Sequence, residues 1–556
     1  MSIHLILIIW GICCFSIKLN IVQKIIKYSI PIFYGVFTIL LYFTYLAAFF
    51  GKNYNSRIFT FEILWGYLKY LNDLITTFSL NSVFVYFIIF FVPLIIFVAF
   101  QLMNKLIFQG LQQLKNIKIQ EYYTPRIILL CISILVASFL IVKKRWFIND
   151  KLLLMEEPII SFISQAPFQG LTILDDNEDD KIRSEYPKNL KFQKKNIVLI
   201  VVDALRSDHL SLFGYKRKTS PFLDSLYTTG NLKKVGLSFS VAGASFPGIN
   251  GILRSKIWSN MGYKNFSLQQ LLKDQGYELN FLVSGDHTHF YGLKSFYGKN
   301  SDFDYYIDGS ETKKYIVNDD RIIFEGLENI KPYHNNPSYF HFHLNSAHFS
   351  GIKLAKYEKY QPASSNTKDR DNYTNRYDNG ILQADDYLKS IFKILQSKGY
   401  LQNSIVVITA DHGEALGERE QFGHVKNVYT DQILVPILFY ESEKVAYRNT
   451  SLATTVDIAP TIIDRLGLPI PKTWEGNSLY SNENRDFTFH QMNEHYAIIY
   501  CKGKSKLKYV FNYKTKKEEI YDLNKDLYEK RDLINTLDKP SLNIFRKKMS
   551  TFRLNQ

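Results

Sequence analysis

Cysteine is scarce in this chain: four in 556 residues, at positions 13, 14, 131 and 501. The first three fall inside long apolar runs, so the polar remainder of the chain holds Cys501 alone and can form no internal disulfide. No CxxC or paired Cys/His finger spacing occurs either, and any bound metal must rely on oxygen and imidazole donors. No internal repeat and no low-complexity tract is present. Aromatic residues, by contrast, are abundant, with 42 Phe and 38 Tyr, a load that disordered chains do not carry. Acidic residues are the minority charge, 52 against 67 basic, for a net +15. Such an excess fits either nucleic acid or an anionic membrane surface, and its position decides between them.

Residues 1–150 contain thirteen Lys/Arg and four acids, so nine of the fifteen net charges lie there. Between them run uncharged stretches at 1–17, 28–50, 74–104 and 127–142. Each is near or above the roughly 17–25 residues that cross a hydrocarbon core. The first lacks the basic start and small-residue cleavage site of a signal peptide and reads as an uncleaved span. We therefore expect about four transmembrane helices within 1–145, flanked by cations that meet anionic lipid. The positive-inside comparison is a tie, since both choices of cytoplasmic loops hold seven Lys/Arg. Beyond residue 150 no spanning run remains, and the mean hydropathy of −0.11 averages two unlike parts. No basic helix or aromatic-interleaved patch stands out there, which argues against nucleic acid.

The acidic run 175–180 and the basic run 191–195 read as a linker, spanning 146–193. From Asn196 the texture alternates. NIVLIVV at 196–202 is a β-branched run suited to a strand buried on both faces. Strands are also expected at 278–284, 339–344, 404–409 and 433–440, with helices at 266–275 and 377–397. Strands alternating with helices predict a doubly wound α/β domain over 194–475, followed by a smaller subdomain at 476–556.

Polar residues gather where the strands end, the place where α/β sheets take ligands. Asp203 follows the first strand, Asp411 and His412 follow another, and His424 comes twelve residues later. His343 lies in a third strand with His348 just past it. Any one of these is as readily a turn or cap residue, but three clusters at three strand ends make a coherent set. Two carboxylates and an imidazole suit a hard-to-borderline divalent ion. Arg206, Asp208, His209, Asp286, His287 and His289 lie close by and could line the same pocket or serve the scaffold. Lys353 and Lys356 lie where an anion could be met, or are solvated loop lysines.

The succession VVDALRSDHLSLFGY, SFPGINGIL, FHFHLNSAHF, ITADHGEALGERE with FGH, VDIAPTIIDRLGLPIP and EEIYDLNKDLYEKRDL resembles the sulfatase-type branch of the alkaline phosphatase superfamily across most of 194–535. With the apolar amino-terminal part, the arrangement is similar to that of bacterial phosphoethanolamine transferases and lipoteichoic acid synthases. The resemblance implies an alkaline-phosphatase-like (sulfatase-like) α/β domain with a mostly parallel central sheet and a small C-terminal α+β subdomain. It implies metal ligands at Asp203, Asp411, His412 and Ser245, and catalytic roles for Ser245 as nucleophile and for His348 and His424 at the leaving group. The ion would be one of Mn, Mg, Ca or Zn. Ala204 stands where the family has a second acid, which favours one ion over two. Ser245-Phe246-Pro247 occupies the nucleophile motif, but Gly248 and Ile249 depart from the continuation that directs conversion to formylglycine. A plain serine suits two-step phosphoryl transfer through a phosphoserine better than sulfate ester hydrolysis. The expectation is thus a multi-pass inner-membrane enzyme with an extracytoplasmic catalytic domain. It would move a phosphoethanolamine- or phosphoglycerol-like headgroup from a membrane lipid donor to an envelope glycan or lipid acceptor. A sulfatase or phosphodiesterase is the second reading and an anion-binding pseudoenzyme the third.

Overall fold

The computed structural model describes residues 82–92, 94–95 and 98, and residues 177–554 apart from 189, 263–264, 289–292, 313, 368, 448–450, 482–484 and 504. These two stretches belong to separate compact units. In the first, the helical turns Ser82–Tyr86 and Phe87–Phe91 carry a run of apolar residues. Val83, Phe87, Phe91, Leu94, Ile95 and Val98 are all exposed, at the three- and four-residue spacing of one helical stripe. Most of the expected spans lies outside the described residues, and His289 does too. Among the described residues, no helix is long and apolar enough to cross a membrane.

The second unit opens with α1 (Asn177–Glu185), and here the structure corrects the sequence reading of a linker. Glu178, Asp179 and Asp180 fill its first turn, where carboxylates complement the unpaired N–H groups of a helix start. Asp179 is buried and accepts hydrogen bonds from Asn265 Nδ2 and Thr473 Oγ1. The acidic run is thus anchored to the domain it precedes.

The core is a seven-stranded sheet of β1 (Asn196–Val202), β2 (Leu232–Lys234), β3 (Glu278–Val283), β4 (Tyr305–Ile307), β5 (Ser338–Leu344), β6 (Ser404–Thr409) and β7 (Ile437–Tyr440). Its order is β2-β7-β6-β1-β5-β3-β4. β1 pairs in parallel with both β5 and β6, and every residue of these three strands is buried, the apolar ones together with His341 and His343 of β5. β7 runs antiparallel to β2 and to β6, which makes the sheet mixed. The strand expected at 433–440 is shortened from its front, since Thr430–Ile433 forms a helical turn and pairing begins only after Pro436, which has no N–H for the ladder.

Two helices bear on the site. α2 (Ser245–Arg254) begins with the motif serine. α3 (Arg370–Ser397) starts seven residues before the expected 377, because Asp369 caps it by accepting from the Asn372 N–H. A second, antiparallel sheet follows, of β8 (Phe487–Met492), β9 (His495–Lys502), β10 (Ser505–Asn512) and β11 (Glu518–Asp522). Helix α4 (Lys539–Leu554) covers it through Leu542, Phe545, Met549 and Phe552, which pack on Tyr496, Ile498, Tyr509 and Ile520.

Candidate active site at the strand ends

The parallel register brings the chemistry together. Val202 lies opposite Leu344, and Val201 opposite both His343 and Thr409. The residues just beyond therefore leave the sheet at one edge: Asp203 after β1, Asp411 after β6, and the turn carrying His348 after β5. α2 is pressed against the same edge. A Cβ on Gly248 would sit 2.1 Å from the Asp411 carbonyl oxygen, so this position must be glycine for the helix to approach. The N-terminus of α2 thereby places Ser245 Oγ 3.1 Å from His412 Nε2.

His412 Nδ1 lies 2.8 Å from the Gly413 carbonyl and can only donate to it. Its Nε2 lone pair then faces inward, 3.3 Å from Asp203 Oδ1 and 3.6 Å from Asp411 Oδ2. Those two carboxylate oxygens are buried and accept no hydrogen bond. Burial would raise the Asp203 carboxyl, yet His348, His343 and His412 together hold it below the usual carboxylate range. Burial and the neighbouring Asp203 push Asp411 the other way. Two orphaned oxygens facing one imidazole lone pair at these spacings fit a divalent cation, which would fill all three valences at once. Among the described residues, Asp203, Asp411 and His412 are the one set of three side chains so placed.

The turn at Asp203 is unusual. Ala204 has φ +63, a left-handed conformation that costs a non-glycine residue about 1–2 kcal/mol. Its N–H donates to Asp411 Oδ1, which also accepts from the His412 N–H.

The remaining histidines form the rim. The His424 ring stacks on His412, with centroids 4.1 Å apart, and lies 5.0 Å from the His348 ring. His424 Nδ1 bonds Glu414 Oε2 at 3.1 Å, and Glu414 also accepts from the Tyr373 hydroxyl. Burial alone would lower His424, but the Glu414 carboxylate holds it above the ordinary histidine value. His348 bonds Ser350 through Nδ1, and burial pushes it down to about 4, so its ring stays neutral. Sequence reasoning did not assign Glu414 a role. The signal was its position two residues after His412, which in extended chain returns a side chain to the same face.

Other residues weighed from the sequence divide. His343 Nε2 lies 3.4 Å from Asp203 Oδ2. His287 is buried against it, with ring centroids 4.9 Å apart, and bonds the Tyr297 hydroxyl. Asp286 is buried in the same loop. Arg206 is fully buried, clasping Asp208 and Glu418 and the Glu414 carbonyl, and is scaffold rather than rim. His209 neither faces the carboxylates nor caps a helix: its Nδ1 pairs with Asp378, which Tyr215 and Arg217 also bind. Lys353 folds back onto the His348 and Gly351 carbonyls, whereas Lys356 is exposed over the Tyr357 ring.

Comparison with known proteins agrees with this geometry. Residues 195–468 match the sulfatase family model. The Kdo(2)-lipid A phosphoethanolamine 7''-transferase of Salmonella typhimurium is 26% identical over 272 residues, covering 45% of this chain and 44% of that protein. Bovine (Bos taurus) arylsulfatase K is 33% identical over 106 residues, 19% of each chain. The chain thus spans less than half the length of either curated relative. A Bacteroides thetaiotaomicron structure assigned as a sulfatase superposes with a TM-score of 0.50 at 16% identity, covering 65% of this chain and 91% of that one, a likeness of fold.

Proposed function

We propose, for a chain that belongs to the sulfatase family through residues 195–468, a membrane-anchored phosphotransferase. It carries a phosphorylated headgroup, phosphoethanolamine- or phosphoglycerol-like, from a lipid donor to a glycan or lipid of the cell envelope. The observation that carries this reading is Ser245. It is an ordinary serine at the start of a ten-residue helix, 3.1 Å from His412 and beside two unpartnered carboxylate oxygens. Helix N–H groups favour negative charge at that point, both on the serine oxygen and on the oxygens of a bound phosphate.

Asp203, Asp411 and His412 would hold a divalent ion, which supplies Lewis acidity toward the serine oxygen and the phosphate. Ser245 Oγ gives up its proton to solvent water and attacks phosphorus, forming a phosphodiester on the serine as the bond from phosphorus to the donor lipid's oxygen breaks. His424, whose protonated form Glu414 favours, can give a proton to the departing oxygen, and neutral His348 can accept one from the incoming group. Attack by an acceptor hydroxyl then releases Ser245, which regains a proton from solvent, and the proton taken up by His348 returns through water to His424, whose ring lies 5.0 Å away. Anchoring suits a lipid donor, because it keeps the site at the bilayer surface, and the exposed apolar stripe from Val83 to Val98 supports contact with lipid. With water as acceptor the same residues make a phosphodiesterase. A sulfatase would need formylglycine at 245, which Gly248 and Ile249 disfavour.

Ser245→Ala should abolish turnover of a lipid phosphodiester while circular dichroism and melting stay those of the parent. Mass spectrometry of the parent, quenched during turnover, should find the headgroup phosphate on Ser245. Activity retained in the alanine variant sinks the reading, and formylglycine at 245 would replace it with sulfate ester hydrolysis.

A further inference from the structure

The turn that follows Asp203 is closed by one backbone bond, from the Leu205 N–H to the Val202 carbonyl, and by one side chain from a distant helix. β1 makes its last ladder bond through the Asp203 N–H to the Leu344 carbonyl, and the chain then reverses through Ala204 at φ +63. The Tyr377 hydroxyl, from the second turn of α3, reaches into this reversal. It donates to the Ala204 carbonyl at 2.7 Å and accepts from the Arg206 N–H at 2.9 Å. One oxygen therefore ties both ends of a three-residue turn.

The consequence runs through the Ala204 amide. Its N–H points at Asp411 Oδ1, which leaves Asp411 Oδ2 turned toward the unpartnered Asp203 Oδ1. A non-glycine residue leaves the left-handed region readily unless it is held there. Without the hydroxyl the reversal keeps only the long 3.3 Å backbone bond from the Leu205 N–H to the Val202 carbonyl; the peptide that carries the Ala204 carbonyl then loses its side-chain anchor, Ala204 relaxes from the left-handed region, and its N–H shifts relative to Asp411. The tyrosine ring is itself fixed. It is buried, lies edge-on to His209 at 5.3 Å, and adjoins Asp378, which holds His209, Tyr215 and Arg217. The cluster around His209, which has no contact with the carboxylate pair, thus has a task as the seat of Tyr377.

We propose that Tyr377 is a positioning residue for the cation site: by holding Ala204 left-handed it aims the Asp203 and Asp411 carboxylates at one point. This rests on the divalent-ion reading given above. The test uses the full chain in detergent and Mn2+ as the probe, with affinity measured by titration calorimetry. Tyr377→Phe keeps the ring and removes only the oxygen. Tyr373→Phe is the control, since its hydroxyl bonds Glu414 and makes no contact with the turn. Tyr377→Phe should weaken Mn2+ binding about 10–100-fold, the usual effect of removing an outer partner of a metal site, while Tyr373→Phe stays within about threefold of the parent. Equal losses in the two variants, or parent-like affinity in Tyr377→Phe, overturn the proposal. A parent chain that turns over phosphodiester but binds no Mn2+, Zn2+, Mg2+ or Ca2+ overturns the cation reading itself, a result distinct from either.

Discussion

Glu414 shows how much a single buried carboxylate can decide. It is fully buried, and its two oxygens are divided between His424 and Tyr373. Glu414→Gln keeps the shape but removes the charge that favours the protonated form of His424. Turnover should fall about 100-fold, within the range assigned to general acid catalysis, with Mn2+ affinity and melting temperature near those of the parent. Loss of metal binding in parallel would instead make Glu414 part of the cation site. At this scale the sequence was informative where chemistry sits next to a strand end. Asp203, Asp411 and His412 each follow a continuous apolar run, so a parallel sheet has to bring them to one edge. Ser245 carried a weaker signal, the Pro two places on and the small residues around it. Tyr377 and Asp378 were not legible, because helix residues whose partners lie 161 to 173 positions away declare no pairing in their local pattern.

At the scale of elements, boundaries moved wherever a side chain rather than hydrophobic periodicity set them. Asp369 extends α3 forward, Pro436 delays β7, and the first-turn acids convert an apparent linker into α1. The helix Pro221–Thr228 offers a direct check of such capping. Its first turn is held by Asp385 of α3, which accepts from the Phe222 and Leu223 N–H groups. Burial pushes the Asp385 carboxyl up to about 7. The folded pKa is thus raised above that of the unfolded chain, so its contribution to stability is whole below about pH 4 and fades as pH rises through about 7. The urea midpoint of the parent should therefore drop between pH 5.5 and 8.5 more than that of Asp385→Asn. Identical pH dependence in both would show that Asp385 is ionised throughout.

Across the whole described unit, the second sheet is fastened to the site rather than appended to it. The β8 N–H of Gln491 donates to the Val241 carbonyl, four residues before Ser245, and the His490 ring bonds Ser240. On the far side, Glu529 pairs with Lys508 of β10 and with Arg419, both partners of the Lys508–Glu529 pair being wholly buried. Arg419 and Glu420 are left-handed, at φ +51 and +58, in the turn that leads to His424. Arg419 also binds Asp431, whose carbonyl lies against Gly413. Glu529→Ala would leave Lys508 buried without its counter-charge and should cost about 3–5 kcal/mol in denaturant unfolding, whereas a loss under about 1 kcal/mol would mean that water reaches the pair.

That buried fastening also has a bearing on time. A ribosome delivers Asp203, Ser245, Asp411 and His424 before it delivers Lys508 and Glu529. The turn carrying His424 therefore lacks its clamp until Glu529 has emerged, about a hundred residues later. A nascent chain can assemble the central sheet early, but the clamp on the His424 turn closes only once Glu529 has emerged, after the residues that the site is built around have long been in place.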